Sequence, residues 1–125
     1  MPVTEVIFFL DDDGAAPAHD SLRALLASGQ RRPWAKCQAR IARLAEKGHE
    51  LRRPEADYLR DGIHELRATH RGINYRILYF FHDRLVAVLS QLITKEERVP
   101  DVEIERAIAC KRRFEADPDK HTLRI

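Results

Sequence analysis

The chain has 125 residues, 44% hydrophobic and 34% charged, with a formal net charge of +2. That length suits one domain, residues 1–125, with room for a real core, and the apolar content argues against a disordered chain. The longest uncharged run, Leu85 to Thr94, is too short to cross a bilayer, and Met1 to Glu5 lack the basic-then-apolar start of a signal peptide. A cytoplasmic protein is expected. Cys37 and Cys110 stand alone, without a CxxC or histidine cluster, so they read as reduced packing residues rather than metal ligands or a disulfide.

Charge is unevenly spread. Residues 1–30 carry one basic and five acidic side chains, residues 31–76 carry twelve basic and six acidic, and residues 77–125 carry nine of each. A basic middle attracts phosphate, although lysines and arginines scattered on a solvated helix face give the same counts.

In chain order, Val3 to Leu10 is β-branched and aromatic and ends in Asp11-Asp12-Asp13-Gly14, which predicts a short strand and a turn. Leu22, Leu25 and Leu26 fall at helical spacing within Asp20 to Ser28, with Asp20 as N-cap and Gly29 as stop. From Pro33, residues Trp34, Cys37, Ile41 and Leu44 make one apolar stripe that ends at Gly48. These two segments predict an α-hairpin, with Trp34 in the core. Residues 49–61 have no clean period and contain Pro54, so they read as loop. Three strands follow: Ile63 to Ala68, Ile73 to Phe81 and Leu85 to Thr94. Their short links, Thr69-His70-Arg71-Gly72 and His82-Asp83-Arg84, make them antiparallel neighbours. A last helix runs from Asp101 to about Glu115 and stops at Asp117-Pro118-Asp119. The order β-α-α-β-β-β-α specifies an α+β domain with one mainly antiparallel sheet.

Strand alternation sorts the hairpin into faces. Ile63, Glu65 and Arg67 share one face of their strand. Asn74, Arg76, Leu78 and Phe80 share one face of the next, and Tyr75, Ile77, Tyr79 and Phe81 share the other. The aromatic set is expected to pack the core. Arg67 and Arg76 flank one turn, so both guanidinium groups can face one cavity. Two permanently charged planar donor forks suit a phosphodiester, and they equally suit a carboxylate such as Glu65.

Gly62-Ile63-His64-Glu65-Leu66-Arg67, followed by Asn74-Tyr75-Arg76-Ile77-Leu78-Tyr79-Phe80-Phe81, resembles the signatures of HigB-like toxins in the RelE/ParE superfamily. The segment Leu89 to Pro100, similar to the family's apolar strand with its Lys-Lys end and Thr-Pro helix start, and Glu103-Ile104-Glu105-Arg106-Ala107, similar to the helix that follows, extend the resemblance over about residues 3–114. The resemblance implies a RelE-like fold and the toxin of a type II toxin–antitoxin system. It further implies a ribosome-associated mRNA endoribonuclease that needs no metal or other cofactor, with no membrane involved. The implied partners are a cognate antitoxin, a helix-turn-helix protein, together with the ribosome and mRNA. Two other readings remain: a non-enzymatic ParE-like inhibitor of a protein such as a topoisomerase, and a decayed toxin kept as an antitoxin-binding partner.

The chain departs from the pattern in one stretch. Thr94-Lys95 stands for two lysines, and Arg98-Val99-Pro100 stands for basic-Thr-Pro. A lost Thr cap costs about 1 kcal/mol unless Asp101 replaces it. Glu96 and Glu97 add negative charge where an RNA-binding edge prefers positive.

RNA cleavage by the ribose 2′-hydroxyl needs a base, cations for the phosphorane and an acid for the leaving oxygen. Arg67 and Arg76 supply charge only, since guanidinium does not deprotonate near neutrality. Lys95 supplies charge, or acts as a base where burial among cations lowers its pKa. His70, in the turn beside Arg71, is the expected acid/base candidate, whereas His64 lies opposite Arg67 by parity and reads as structural. Arg71 and Tyr58 are expected to touch the RNA, Tyr58 by stacking an unpaired base.

Overall fold

The computed structural model describes residues 3–94 and 97–124. Its elements are β1 (Glu5–Phe9), α1 (Pro17–Ala27), α2 (Arg31–Lys47), β2 (Ala56–Arg60), β3 (Ile63–His70), β4 (Ile73–His82), β5 (Val86–Thr94), α3 (Asp101–Ala116) and β6 (Thr122–Leu123). The expected order β-α-α-β-β-β-α is present, with β2 and β6 added to it. One sheet of order β2-β3-β4-β5-β1-β6 results, antiparallel except where β1 runs parallel to β5.

The stretch 49–61, expected as loop, contributes the edge strand β2. Asp61 and Gly62 both have positive φ and form a two-residue hairpin link to β3. Arg71 and Gly72 do the same between β3 and β4. Such turns match the strand twist and favour Asp-Gly, so the Asp61-Gly62 pair was the available signal for β2. The Arg71-Gly72 turn is shorter than expected, and His70 belongs to the end of β3.

The helix starts also move. Pro17 occupies the first turn of α1, where its missing N–H costs nothing. Asp20 does not cap that helix; its Oδ2 reaches back to accept the Ala16 N–H at 3.0 Å. Helix α2 starts at Arg31, ahead of Pro33. At α3, Pro100 is the N-cap and makes no side-chain cap bond, so Asp101 lies inside the first turn rather than capping it.

The sheet packs on both faces, not on the aromatic face alone. Helices α1 and α2 cover Leu66, Tyr75, Ile77, Tyr79 and Leu89 with Leu22, Leu25, Cys37 and Leu44, and Trp34 packs half-buried against this layer. Helix α3 covers Ile63, Leu78, Phe80 and Val88 with Ile104, Ala107, Ile108 and Phe114. Each such fully buried apolar side chain contributes roughly 1.5–3 kcal/mol relative to exposure. A bulge between Leu78 and Tyr79 of β4 and their β5 partners sits at Ser90, whose Oγ donates to the Leu78 carbonyl at 3.1 Å. Past it, Gln91 Nε2 donates to the Glu103 carbonyl at 2.8 Å, which ties β5 to α3.

Candidate functional site

Helix α3 covers only part of its face of the sheet. Toward the Arg71-Gly72 turn, that face carries Glu65, Arg67 and Thr69 from β3 and Asn74 and Arg76 from β4. Thr69 Oγ1 donates to Asn74 Oδ1 at 2.9 Å near the turn.

Arg67 and Arg76 are direct cross-strand partners. Two guanidinium groups so placed repel unless an anion lies between them. Glu65 is that anion: Arg76 Nη1 donates to its Oε1 at 2.6 Å, and Arg67 Nη2 to its Oε2 at 3.3 Å. The burial is unequal. The side chains of Glu65 and Arg76 are 4% and 3% exposed, whereas that of Arg67 is 36% exposed. Arg76 Nη2 also donates to the Glu97 carbonyl at 2.7 Å, which anchors the chain leading into α3. Arg67 Nε makes no hydrogen bond among the described residues, so Glu65 does not saturate its guanidinium.

The backbone under Arg67 is held from two sides. Strand β2 pairs with β3 only as far as Leu66, which leaves the end of β3 as an open edge. There Arg67 N–H donates to the Glu55 carbonyl at 2.9 Å, and two α2 side chains take the place of the missing strand. Arg40 Nε donates to the Arg67 carbonyl at 2.8 Å, and Lys36 Nζ to the Thr69 carbonyl at 3.1 Å. Charged side chains thus satisfy the edge and blunt it against pairing with other chains. Asp57 lies nearby on β2. Its carboxyl is held below the usual range by a 2.9 Å pair with Arg53, and Arg67 adds to that effect.

The remaining expected site residues lie elsewhere. His70 faces α1 and α2, on the opposite side of the sheet from Arg67. With Arg31, Arg32 and Arg71 it lines a cavity of about 540 Å³. Burial lowers the His70 pKa, and Lys36, Arg71 and Arg32 lower it further. Tyr58 is paired with His64 and shares its face, again opposite Arg67. Its ring is exposed and edge-on to His64, and its hydroxyl accepts the Gly62 N–H at 3.0 Å. Lys95 lies outside the described residues.

His64 stacks on Tyr79, and burial pushes its pKa down to about 4, so the ring is neutral near pH 7, as its structural assignment requires. Cys37 and Cys110 are buried in the two different helix-covered layers, and burial raises each thiol to about 11. They are packing residues in the thiol form. Among the described residues, no group of three His, Cys, Asp or Glu side chains is placed to hold a metal ion, and no helix is long and apolar enough to cross a membrane.

The expected strand pattern placed Arg67 and Arg76 on one face, as they stand, but it left His70 in the turn, whereas β3 extends to His70 and points it to the other side of the sheet. It did not reveal that one buried carboxylate engages both arginines. It also did not single out Arg31 and Arg32, which line the cavity beside His70; two adjacent cations at a helix start, where anions are preferred, were the available signal.

No curated protein matches the chain. A family model described as phage-derived protein Gp49-like (DUF891) matches residues 22–112, from the middle of α1 into α3, a span that includes both arginine clusters. The chain belongs to this Gp49-like, phage-derived family, a family of RelE/HigB-like toxins.

Proposed function

We propose that the protein is the toxin of a toxin–antitoxin pair and that it cuts mRNA during translation without a metal. The observation that carries this reading is the Arg67–Glu65–Arg76 cluster on the α3 side of the sheet, open to solvent only at Arg67, in a chain of a toxin family. Arg67, the half-exposed member of the cluster, is the group that meets the scissile phosphate. Arg76 is enclosed, so its role is to position Glu65, which in turn aims Arg67. In the reaction the ribose 2′-hydroxyl gives its proton to a base as its oxygen attacks the adjacent phosphorus, the bond to the 5′-oxygen breaks, and that oxygen takes a proton from water, leaving a 2′,3′-cyclic phosphate and a free 5′-hydroxyl. Arg67 stabilises the phosphorane charge. Lys95 remains the proposed base or additional cation for this centre. His70 points to the other side of the sheet and does not share this phosphate.

Expression without the antitoxin is expected to slow growth and to produce cleavage ends within a translated reporter message, mapped by primer extension. The antitoxin is expected to be encoded beside the gene and to co-purify with the chain. Intact message together with loss of DNA supercoiling would transfer the function to inhibition of a topoisomerase.

A further inference from the structure

We propose that the cavity between the start of α2 and the Arg71-Gly72 turn is a second phosphate-binding surface, which holds RNA backbone on the opposite face of the sheet from Arg67. The proposal rests on the reading of the chain as a protein that acts on RNA, but it concerns binding and not cleavage.

Pairing distinguishes this surface from the arginines on the rest of α2 and on β2, β3 and β4. Arg23, Lys47, Arg52, Arg84, Arg98 and Arg112 also lack a carboxylate partner among the described residues, but they do not gather around this cavity. Arg40 and Arg43 pair with Glu55, Arg53 with Asp57, Arg60 with Glu105, and Arg67 and Arg76 with Glu65. Arg31, Arg32 and Arg71 line the cavity and have no carboxylate partner among the described residues, no Asp or Glu lines it, and Lys36, held on the Thr69 carbonyl, adds its charge from nearby. Their convergence is felt by His70, whose protonation Lys36, Arg71 and Arg32 all oppose, after burial itself. Unneutralised charge gathered around a concavity costs self-repulsion in the free protein, and a bound polyanion relieves it.

Local backbone structure points the same way. Arg31 and Arg32 occupy the first turn of α2, which has no acidic residue and no side-chain cap bond. Free N–H groups and the positive end of the helix dipole already favour an anion there, so arginines at this point oppose helix stability while adding to the attraction for an anion. Planar guanidinium forks fit phosphodiester oxygens, and repeated phosphates along one strand suit several cations spread across a cavity. An acidic peptide is the competing polyanion. The predominance of arginine, together with a turn cation and an α2 cation on opposite walls, favours the RNA backbone.

The test uses the full chain and a fluorescein-labelled RNA made wholly of 2′-O-methyl nucleotides, which lacks the attacking hydroxyl and stays intact. Anisotropy titrations at several salt concentrations compare the wild type, the double variant Arg31→Ala/Arg32→Ala, and a charge-matched control, Arg84→Ala/Arg112→Ala. The double variant is expected to bind about tenfold or more weakly. Its log–log salt slope should also be shallower by about 0.7 for each phosphate no longer neutralised. The control should stay within about twofold of the wild type. Thermal unfolding of the double variant should not be weakened, because alanine suits a helix start better than a cation there. Equal losses in the double variant and the control would reduce the effect to diffuse charge and overturn the proposal, as would unchanged binding in both. Poly-glutamate that displaces the RNA at equal charge concentration would assign the surface to an acidic peptide and overturn it too. RNA binding that depends on Arg31 and Arg32 sustains the surface even where an unmodified message is never cut. Cleavage without that dependence removes the surface and leaves the nuclease reading intact.

Discussion

The end of the β3–β4 hairpin carries two groups of cations, one on each face of the same sheet, and they are solved in opposite ways. On the α3 side, Arg76 and Glu65 are buried and paired, and Arg67 joins them from a half-exposed position. On the α2 side, Arg31, Arg32 and Arg71 line an open cavity with no acidic lining. A charge taken out of water requires a counterion and satisfied hydrogen bonds, whereas one left in water does not. The contrast therefore separates arginines held by buried or half-buried carboxylates from arginines left without a carboxylate partner among the described residues. Arg67 stands between the two classes, anchored by Glu65 yet able to reach outward.

Removal of a buried charge should give the largest effect. Arg76→Ala leaves Glu65 ionised in the interior with only Arg67 beside it, and it releases the Glu97 carbonyl. Loss of one partner of a buried pair costs about 3–5 kcal/mol, which should appear as a lower urea midpoint. The double replacement Glu65→Leu/Arg76→Met removes both charges at similar volume and should recover most of that loss. An Arg76→Ala chain as stable as the wild type would mean that the cluster is wetter than its 3% and 4% exposures imply.

Arg67→Ala should separate activity from folding. Its bridge to Glu65 is long, at 3.3 Å, and half-exposed, so stability should fall by about 1 kcal/mol or less. The cleavage rate should fall on the order of 10²–10³, the effect of losing one preorganised transition-state donor. Single-turnover cleavage with circular dichroism as the folding control reads both. Full activity in a folded Arg67→Ala chain would move the chemistry away from this face.

The sequence made the faces legible and the pairing illegible, for physical reasons. Side-chain alternation in strands is a fixed period of two, so Arg67 and Arg76 could be placed on one face by counting. Burial depends on what the chain lays over that face, and α3 with its approach at Glu97 comes from more than twenty residues further along. The same limit explains the double-sided core: alternation marks two faces but does not say that the less aromatic one is also covered. Strand β2 escaped notice because Asp57, Arg60 and Pro54 blur its period, although Asp61-Gly62 marked its turn. His70 was placed in the turn with Arg71, and two residues of extra strand, Thr69 and His70, put it on the opposite side of the sheet from Arg67.

Histidines on one strand sharpen the comparison further. His64 and His70 share the α2 side of β3, but His64 is enclosed by aromatic rings. Its folded pKa of about 4 lies below its ordinary value, so the unfolded chain takes up the proton first as pH falls. The stability that the neutral buried ring contributes is complete above pH ~6.5 and is lost progressively down to about pH 4, an upper bound of about 3 kcal/mol. His64→Phe keeps the ring packing and cannot titrate. Urea unfolding at pH 7.5 and pH 4.5 should show a smaller acid loss for the variant than for the wild type. Parallel losses in the two proteins would mean that His64 is protonated in the fold without cost.

The smallest effect expected is at the border between the two classes of charge. Asp57 pairs with the exposed Arg53 at 2.9 Å and lies within the field of Arg67. Asp57→Asn keeps size and hydrogen-bonding capacity but removes the negative charge. Because the partner is solvent-exposed, the stability change should be below about 1 kcal/mol. The electrostatic consequence is more specific. With Asp57 neutral, Arg53 and Arg67 become an unpaired and a partly paired cation beside the proposed phosphate position, closer in character to the α2-side surface. Association with a phosphodiester at low salt should strengthen by no more than about tenfold, and the gain should fade as the screening length shortens toward about 8 Å at physiological ionic strength. A gain that survives high salt would signal a new direct interaction rather than a changed field. A weaker association would show that Asp57 holds Arg53 or Arg67 in the binding geometry, which would place this carboxylate with the builders of the site.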